Sequence, residues 1–407
     1  MKSWRKTFTA ACIAQTCSIL GFSLAMPFMA FYIRELGVTD NAAVARWSGI
    51  VNGAAGLTMA IFAPIWGLLA DRYGRRPMVM RSMYGGVLVL LLISIARDVH
   101  QLVAFRLLQG ALTGTIAALV ALVASEAPRE KAGYALGIMQ AAVFVGFSVG
   151  PLIGGVLADA VGYRVTFALS SLLLLAGGLL VQFGTREGFV PRARGEGGGR
   201  DGFRSVFAGP GFLAAVFALF TLRFANSAAA PTFGLFIEEI YGTGVRLNSV
   251  VGLVTAAGGF AAAIGAVLLG HLGDRWGHKR VLIAACLYGG LVSLAYTYAN
   301  TVVELGGIRV LFGLGAAGIL PAANAIIRHT TEDHNVGRAY GVTASAGSIG
   351  WMLGPWSGGY AAGVYGLRAP FLVMAAGLWV SAAVVAGLVR RDPPRGSLGA
   401  GAPLAGP

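Results

Sequence analysis

Three arginines stand inside long apolar stretches of this 407-residue chain: Arg106 in QLVAFRLLQGALTG, Arg223 in FALFTLRFANSAA and Arg309 in LGGIRVLFGLG. A guanidinium keeps its charge in any protein environment. At the centre of an apolar span that charge costs at least ~2.5–3.5 kcal/mol, so each marks a site expected to meet an anion or polar partners. Uncharged hydrogen-bonding residues in similar stretches, Asn52, Gln109, Gln140, Asn226 and Asn324, could complete a polar pocket around them. Carboxylates are scarcer. Glu35, Glu238, Glu239 and Glu304, like Glu126 and Asp159, fall at the ends of apolar stretches and none at the middle. An acid beside Arg106 would be held ionised by the adjacent cation and could act as a proton carrier. Glu35 and Glu304 are the two candidates by depth, and both stay open.

Other chemistry is poorly supported. HTTEDH, His329 to His334, has two histidines and two acids but no cysteine near it, and reads as a solvated loop rather than a metal site. The glycine-rich stretches lack a preceding strand and a following GK[ST], which a phosphate loop needs. Cys12, Cys17 and Cys286 all lie in apolar segments without metal spacing. With no cluster of nucleophiles or acids at one depth, a membrane enzyme is disfavoured, and no cofactor is expected.

The elements that must position these residues follow from composition. Hydrophobic residues make up 56% and charged residues 12%, with 61 glycines, which together define a membrane chain. The net charge of +14 does not indicate nucleic acid, because the basic residues punctuate apolar runs rather than cluster on a polar face. Charge and turn clusters divide the chain into twelve expected spans, at 8–33, 47–70, 78–97, 101–125, 133–158, 164–184, 210–237, 248–270, 280–299, 304–327, 339–362 and 369–390. With both termini on one side, 22 of the 31 lysines and arginines flank the spans there, Arg81 among them, against 6 on the other side. The excess places both termini in the cytoplasm. Residues 185–207 read as a flexible linker between two halves, 1–184 and 208–391, and 392–407 as a disordered tail.

The halves repeat. GLLADRYGRR (Gly67 to Arg76) lies over GHLGDRWGHK (Gly270 to Lys279), Arg106 over Arg309 and Gly110 over Gly313. One residue further on in offset, Gly137, Gly146, Gly150, Pro151, Gly154 and Gly155 lie over Gly341, Gly350, Gly354, Pro355, Gly358 and Gly359. Two pseudo-symmetric bundles around a midplane site are a transporter architecture. These residues resemble the major facilitator superfamily, specifically its twelve-span drug/proton antiporter branch. GLLADRYGRRPMV is similar to the loop motif after span two, RLLQG to the span-four arginine motif, and LGFSLAMPFMA to the span-one motif, with Phe28 and Ala30 in place of its usual Val and Pro. The Gly137 to Gly155 series resembles the span-five antiporter signature at every position. WSGIV, GGVLAD and GYR are similar to the MdtG-like group of bacterial multidrug exporters.

The resemblance implies an all-α fold of two six-helix bundles in the bacterial inner membrane, a monomer exchanging protons for amphiphilic small molecules. Proton-coupled uptake by the same fold is the rival reading, and the antiporter signature speaks against it. It also implies a cytoplasmic gate at Gly67, Asp71, Arg72, Gly74, Arg75 and Arg76, repeated at Gly270, Asp274, Arg275 and Gly277. Asp71 is expected near the start of span eleven, around Arg338 to Gly341, and Asp274 near the start of span five. The glycines suggest that spans five and eleven form the seam between the halves, since small residues permit close helix approach in lipid. Relatives that export lipophilic cations place an acid in span one. Ile13 to Met29 has none, which favours an anionic, zwitterionic or neutral amphiphile held by Arg223.

Overall fold

An apolar stretch in lipid must satisfy its backbone hydrogen bonds internally, and helix is the local way to do so. In the computed structural model every regular element among the described residues, 2–128, 131–188, 210–244, 246–331 and 336–389, is helical. The helices are α1 (Lys2–Ala25), α2 (Met29–Glu35), α3 (Asn41–Tyr73), α4 (Arg75–Ser94), α5 (Val99–Leu112), α6 (Thr115–Glu126) and α7 (Ala132–Gly184). Then follow α8 (Pro210–Ala229), α9 (Phe233–Tyr241), α10 (Leu247–Trp276), α11 (His278–Ala295), α12 (Val302–Ala316), α13 (Ile319–Thr330), α14 (Val336–Tyr365) and α15 (Ala369–Leu388). The expected linker and tail lie outside the described residues, as do residues 332–335 of HTTEDH and the side chains of His329 and Arg338.

Ten helical stretches among the described residues are long and apolar enough to cross a membrane. One of them, in α7, divides at Gly162, whose φ of 78° breaks the helix between 132–161 and 163–184. The 30-residue α14 is a further long helix. Gly74 (φ 94°) and Gly277 (φ 99°) make the tight turns from α3 to α4 and from α10 to α11, in a region of backbone space that a side chain disfavours.

Four stretches expected as single spans are each interrupted. Met26–Phe28 separates α1 from α2, Thr113 and Gly114 separate α5 from α6, residues 230–232 separate α8 from α9, and residues 317–318 separate α12 from α13. Pro27, Gly114, Pro231 and Gly318 supply the local reason, a missing N–H or a backbone free of Cβ restraint.

Packing follows the glycines. A methyl group at Gly146 would stand 2.5 Å from Ile19 Cγ2, at Gly150 1.8 Å from Ser23 Oγ, and at Gly154 1.8 Å from the Leu24 carbonyl oxygen. The face they form seats α1 on α7. Its repeat does the same for α14 on α8, where Gly350, Gly354 and Gly358 meet Phe220, Ser227 and Ala228. Ser23 Oγ donates to Gly146 O (2.8 Å) and Ser227 Oγ to Gly350 O (3.2 Å), so both contacts carry the same hydrogen bond.

The expected spans five and eleven do lie at the seam, each against another helix of the opposite half: α7 packs on α10, and α14 packs on α3. The face of Gly146, Gly150 and Gly154 is not the part that forms it, being taken by α1. Gly155 meets Asn248 O, Gly252 meets Pro151 O, Gly49 meets Pro355 O, and Gly359 meets Gly49 Cα, at 2.2–2.6 Å from an added methyl. The reason is helix geometry. Successive residues lie ~100° apart, so Gly154 and Gly155 present backbone to two different neighbours.

Gly154→Ala is expected to cost ~1–3 kcal/mol, because the added methyl meets backbone rather than a movable side chain. Gly137, with no atom within 4 Å of an added methyl, is expected to accept alanine without loss. Thermal unfolding of the two variants in detergent distinguishes them.

Candidate functional site

The neutral partners of Arg106 explain how α5 holds a buried cation. Arg106 Nε donates to Val51 O (3.1 Å), Nη1 to Gln109 Oε1 (2.6 Å) and to Met26 Sδ (3.0 Å), and Nη2 to Asn52 Oδ1 (3.1 Å). Gln109 sits one turn further along α5, while Asn52 comes from α3 and Met26 from the interruption after α1. Asn52 is itself oriented by donating to Ser48 O (2.9 Å). The charge is therefore solvated by dipoles alone, which lowers its desolvation cost without neutralising it.

Its repeat is built differently. Arg309 lies with its guanidinium carbon 4.9 Å from the centre of the Phe233 ring, a cation–π contact, and its stem fills the space beside Gly258. Gly110 and Gly313, one turn beyond the arginines, let α5 approach Ala55 of α3 and α12 approach Gly258 of α10. The scaffold is duplicated; the polar groups around the charge are not.

Arg223 presents a third environment. Its stem lies against Gly347 and Gly350 of α14, yet the residue is exposed and donates to no acceptor among the described residues. Leu213, Arg223, Asn226 and Ala230 are the exposed positions of α8 and its exit, and the spacing of the last three places them on one stripe of the helix. A stripe bearing an arginine and an asparagine is suited to water and solute rather than to hydrocarbon. Gln140 on α7 is likewise exposed, and Asn324 on α13 is partly so. The expected pocket is thus split: Asn52 and Gln109 serve Arg106, whereas Arg223 and Asn226 share another surface.

The two ends of the molecule contrast. Asp159, at the end of the first part of α7, accepts from Asn248 N and Nδ2 (3.2 and 2.8 Å) and from Ser249 N and Oγ (2.8 and 2.5 Å), capping α10. Arg34 pairs with Glu238 at 2.7 Å, joining α2 to α9. Arg34, Asn41, Glu238, Glu239 and Thr243 line a small cavity of about 330 Å³ there. At the Asp71 end Gly67, Gly133, Gly137 and Gly341 have no atom within 4 Å of an added methyl. The two halves are held together at the first end, whereas at the second these four glycines face open space.

The gate and carrier residues are placed accordingly. Asp71 is exposed and makes no hydrogen bond or ion pair with the described residues, while Asp274 faces His278 at 3.6 Å. Arg72 lies over Tyr73, Arg75 Nη1 donates to Ala121 O (2.7 Å), and Arg76 donates to Gln182 O. The backbone amides of Arg75 and Arg76 are held by Glu187 (2.7 and 2.8 Å). These arginines brace α4 against α6 and α7 rather than bridging halves. Glu35 receives Arg164 Nε at 3.0 Å, and Glu304 forms a capping box with Thr301. Neither carboxylate is paired with Arg106 as expected; chain interruptions and helix caps direct them elsewhere. The Thr301-x-x-Glu304 spacing was the available signal for the cap. The Asp159 and Glu187 contacts join residues 89 and 112 apart and have no local signal.

Long apolar helices seated on one another's glycines define a polytopic membrane protein. The Major Facilitator Superfamily model matches residues 11–249 and again 215–405, and the chain belongs to that family. The chain is 35% identical over 377 residues to the Multidrug resistance protein MdtG of Enterobacter lignolyticus (strain SCF1), covering 92% of this chain and 90% of that protein. Against the protein of the same name from Citrobacter koseri the identity is 34%, covering 92% of each. Among solved structures, a bacterial homologue of the human lysosomal transporter Spinster in an inward-facing, occupied conformation superposes with a TM-score of 0.78. It has 16% identity, over 94% of this chain and 96% of that one.

Arg106→Ala leaves Gln109, Asn52 and the Val51 carbonyl without their donor, and charged hydrogen bonds contribute about 1.5–3 kcal/mol each. Transport by this variant is expected to fall by at least tenfold, with Arg309→Ala milder. Uptake measured in vesicles at matched protein levels checks the difference.

Proposed function

We propose that the protein is a twelve-span secondary exporter with both termini in the cytoplasm, two six-helix halves and a central cleft, exchanging protons for amphiphilic small molecules. The carrying observation is the contrast between the two ends: glycine-packed and ion-paired around Asp159, with glycines facing open space around Asp71. With Asp71 on the cytoplasmic side, the structure faces inward. A solute from the cytoplasm or inner leaflet reaches the stripe of Arg223 and Asn226, with Gln140 as a further exposed polar group, and rocking of the halves moves it outward. The names of the relatives support drugs as the substrates, and the span-five signature supports export rather than uptake.

Closing the cytoplasmic end brings the Asp71 and Asp274 loops toward the other half. Opening the outer end breaks Arg34–Glu238 and frees Asp159 from α10. These contacts form a two-state element, each end stabilising one conformation. The proton carrier is an acid that changes partners in this cycle. The pairing of Glu35 with Arg164 leaves it eligible, whereas the Glu304 cap lies within one helix end.

Arg223 has no acceptor among the described residues and span one lacks an acid, so the substrate is anionic, zwitterionic or neutral. In inverted vesicles with an acidic lumen, drug accumulation is expected, with lumen alkalinisation on drug addition. Drug movement without proton movement would contradict exchange. Among matched cationic and anionic drugs, Arg223→Ala is expected to reduce anion transport by about tenfold or more, the equivalent of losing one charged hydrogen bond. A cation preference unchanged by that substitution would contradict the assignment.

A further inference from the structure

Arg81 is a cation within a span that the transport reading does not use. The sequence places it among the residues flanking a span, but the structure puts it inside α4, six residues beyond Arg75 and so ~9 Å from the helix start. Its guanidinium lies 3.6 Å above the Trp66 ring, the shortest cation–π distance among the described residues. Trp66 is fixed in turn, donating Nε1 to Ala111 O at 2.7 Å. Arg81 Nε and Nη1 are covered yet have no acceptor, and no hydrogen bond links Arg81 to any described residue. Neighbouring Arg75 and Arg76 differ in reaching the Ala121 and Gln182 carbonyls, although Arg76 Nε is also covered without an acceptor.

The direction of the site is set by its helix face. Val79, Met83, Gly86 and Leu90 are buried, and α4 packs on α5, α6 and α7. Arg81 lies on the opposite stripe with Leu88, Leu91 and Ile95, which are 50%, 44% and 64% exposed. An exposed apolar stripe on a membrane helix faces acyl chains. An arginine on it, flattened on tryptophan ~9 Å along α4, lies within snorkelling reach of the headgroups of the leaflet at the Asp71 end.

We infer that Arg81 on Trp66 is a binding site for the phosphate of an anionic phospholipid. With Nε and Nη1 covered, Nη2 is the guanidinium nitrogen left to meet a ligand, and stacking on Trp66 fixes its direction. A phosphate oxygen supplies Nη2 with the acceptor the protein withholds, and the adjacent Leu88 and Leu91 receive an acyl chain.

The test uses the full-length protein in detergent, titrated with phosphatidylglycerol and followed by native mass spectrometry. Arg81→Gln is expected to weaken the tightest phosphatidylglycerol site about fivefold, the value of one basic residue at an anionic surface. Arg97→Gln, at the other end of the same hairpin, is expected to leave it unchanged. Trp66→Leu, which keeps the charge and removes the stack, is expected to weaken it too, and serves if the Arg81 variant fails to fold. Unchanged binding in both variants overturns the proposal. So does an equal effect on phosphatidylcholine, which would make the role one of packing alone. Displacement of the lipid by inorganic phosphate at millimolar concentration would assign the site to a free anion instead.

Discussion

Close contact between helix backbones is the constraint on which this structure depends. In hydrocarbon there is no hydrophobic gain from bringing apolar helices together, so association relies on packing and a few hydrogen bonds. Every side chain at the contact reduces that packing. Gly146, Gly150 and Gly154 remove it along α7, and Gly350, Gly354 and Gly358 along α14, allowing α1 and α8 to settle against bare backbone. The serine hydroxyls at the centre of each contact then reach a carbonyl across the helices.

The same two helices hold the halves to each other, one residue round the turn. Gly155 and Pro151 meet α10, and Gly359 and Pro355 meet α3. Each of these helices thus packs on its own half with one face and across the seam with the next. Closure is confined to the Asp159 end, where backbone contact is reinforced by the Asp159 cap and the Arg34–Glu238 pair.

Against this nearly uncharged scaffold each buried or cleft-facing cation has its own solution. Arg106 is held by neutral acceptors, Arg309 lies on an aromatic ring, and Arg223 is exposed with its stem on Gly347 and Gly350. Duplication reproduced the backbone positions of Arg106 and Arg309, while Met26, Asn52 and Gln109 have no counterparts that reproduce the cage. A pseudo-symmetric frame thus carries an asymmetric polar interior.

Much of the fold was legible in the sequence, because spans and repeats are local or collinear signals: apolar length, punctuating charge, glycine spacing and one nearly constant offset. Gly74 and Gly277 were legible as turns for the same reason. The broken helices were not, since Pro27, Gly114, Pro231 and Gly318 sit in stretches apolar enough to read as continuous. Of the site, the sequence supplied the arginines and amides but not their grouping. Asn52 and Gln109 belong to Arg106 rather than Arg223 because α3 and α5 meet there. Glu304 folds back on its own helix start, and the glycine face meets α1 rather than a helix of the other half. Which residues are present determines what charges must be accommodated. Only helix rotation and inter-helix contact, set by which small residues face one another, decide what each charge meets.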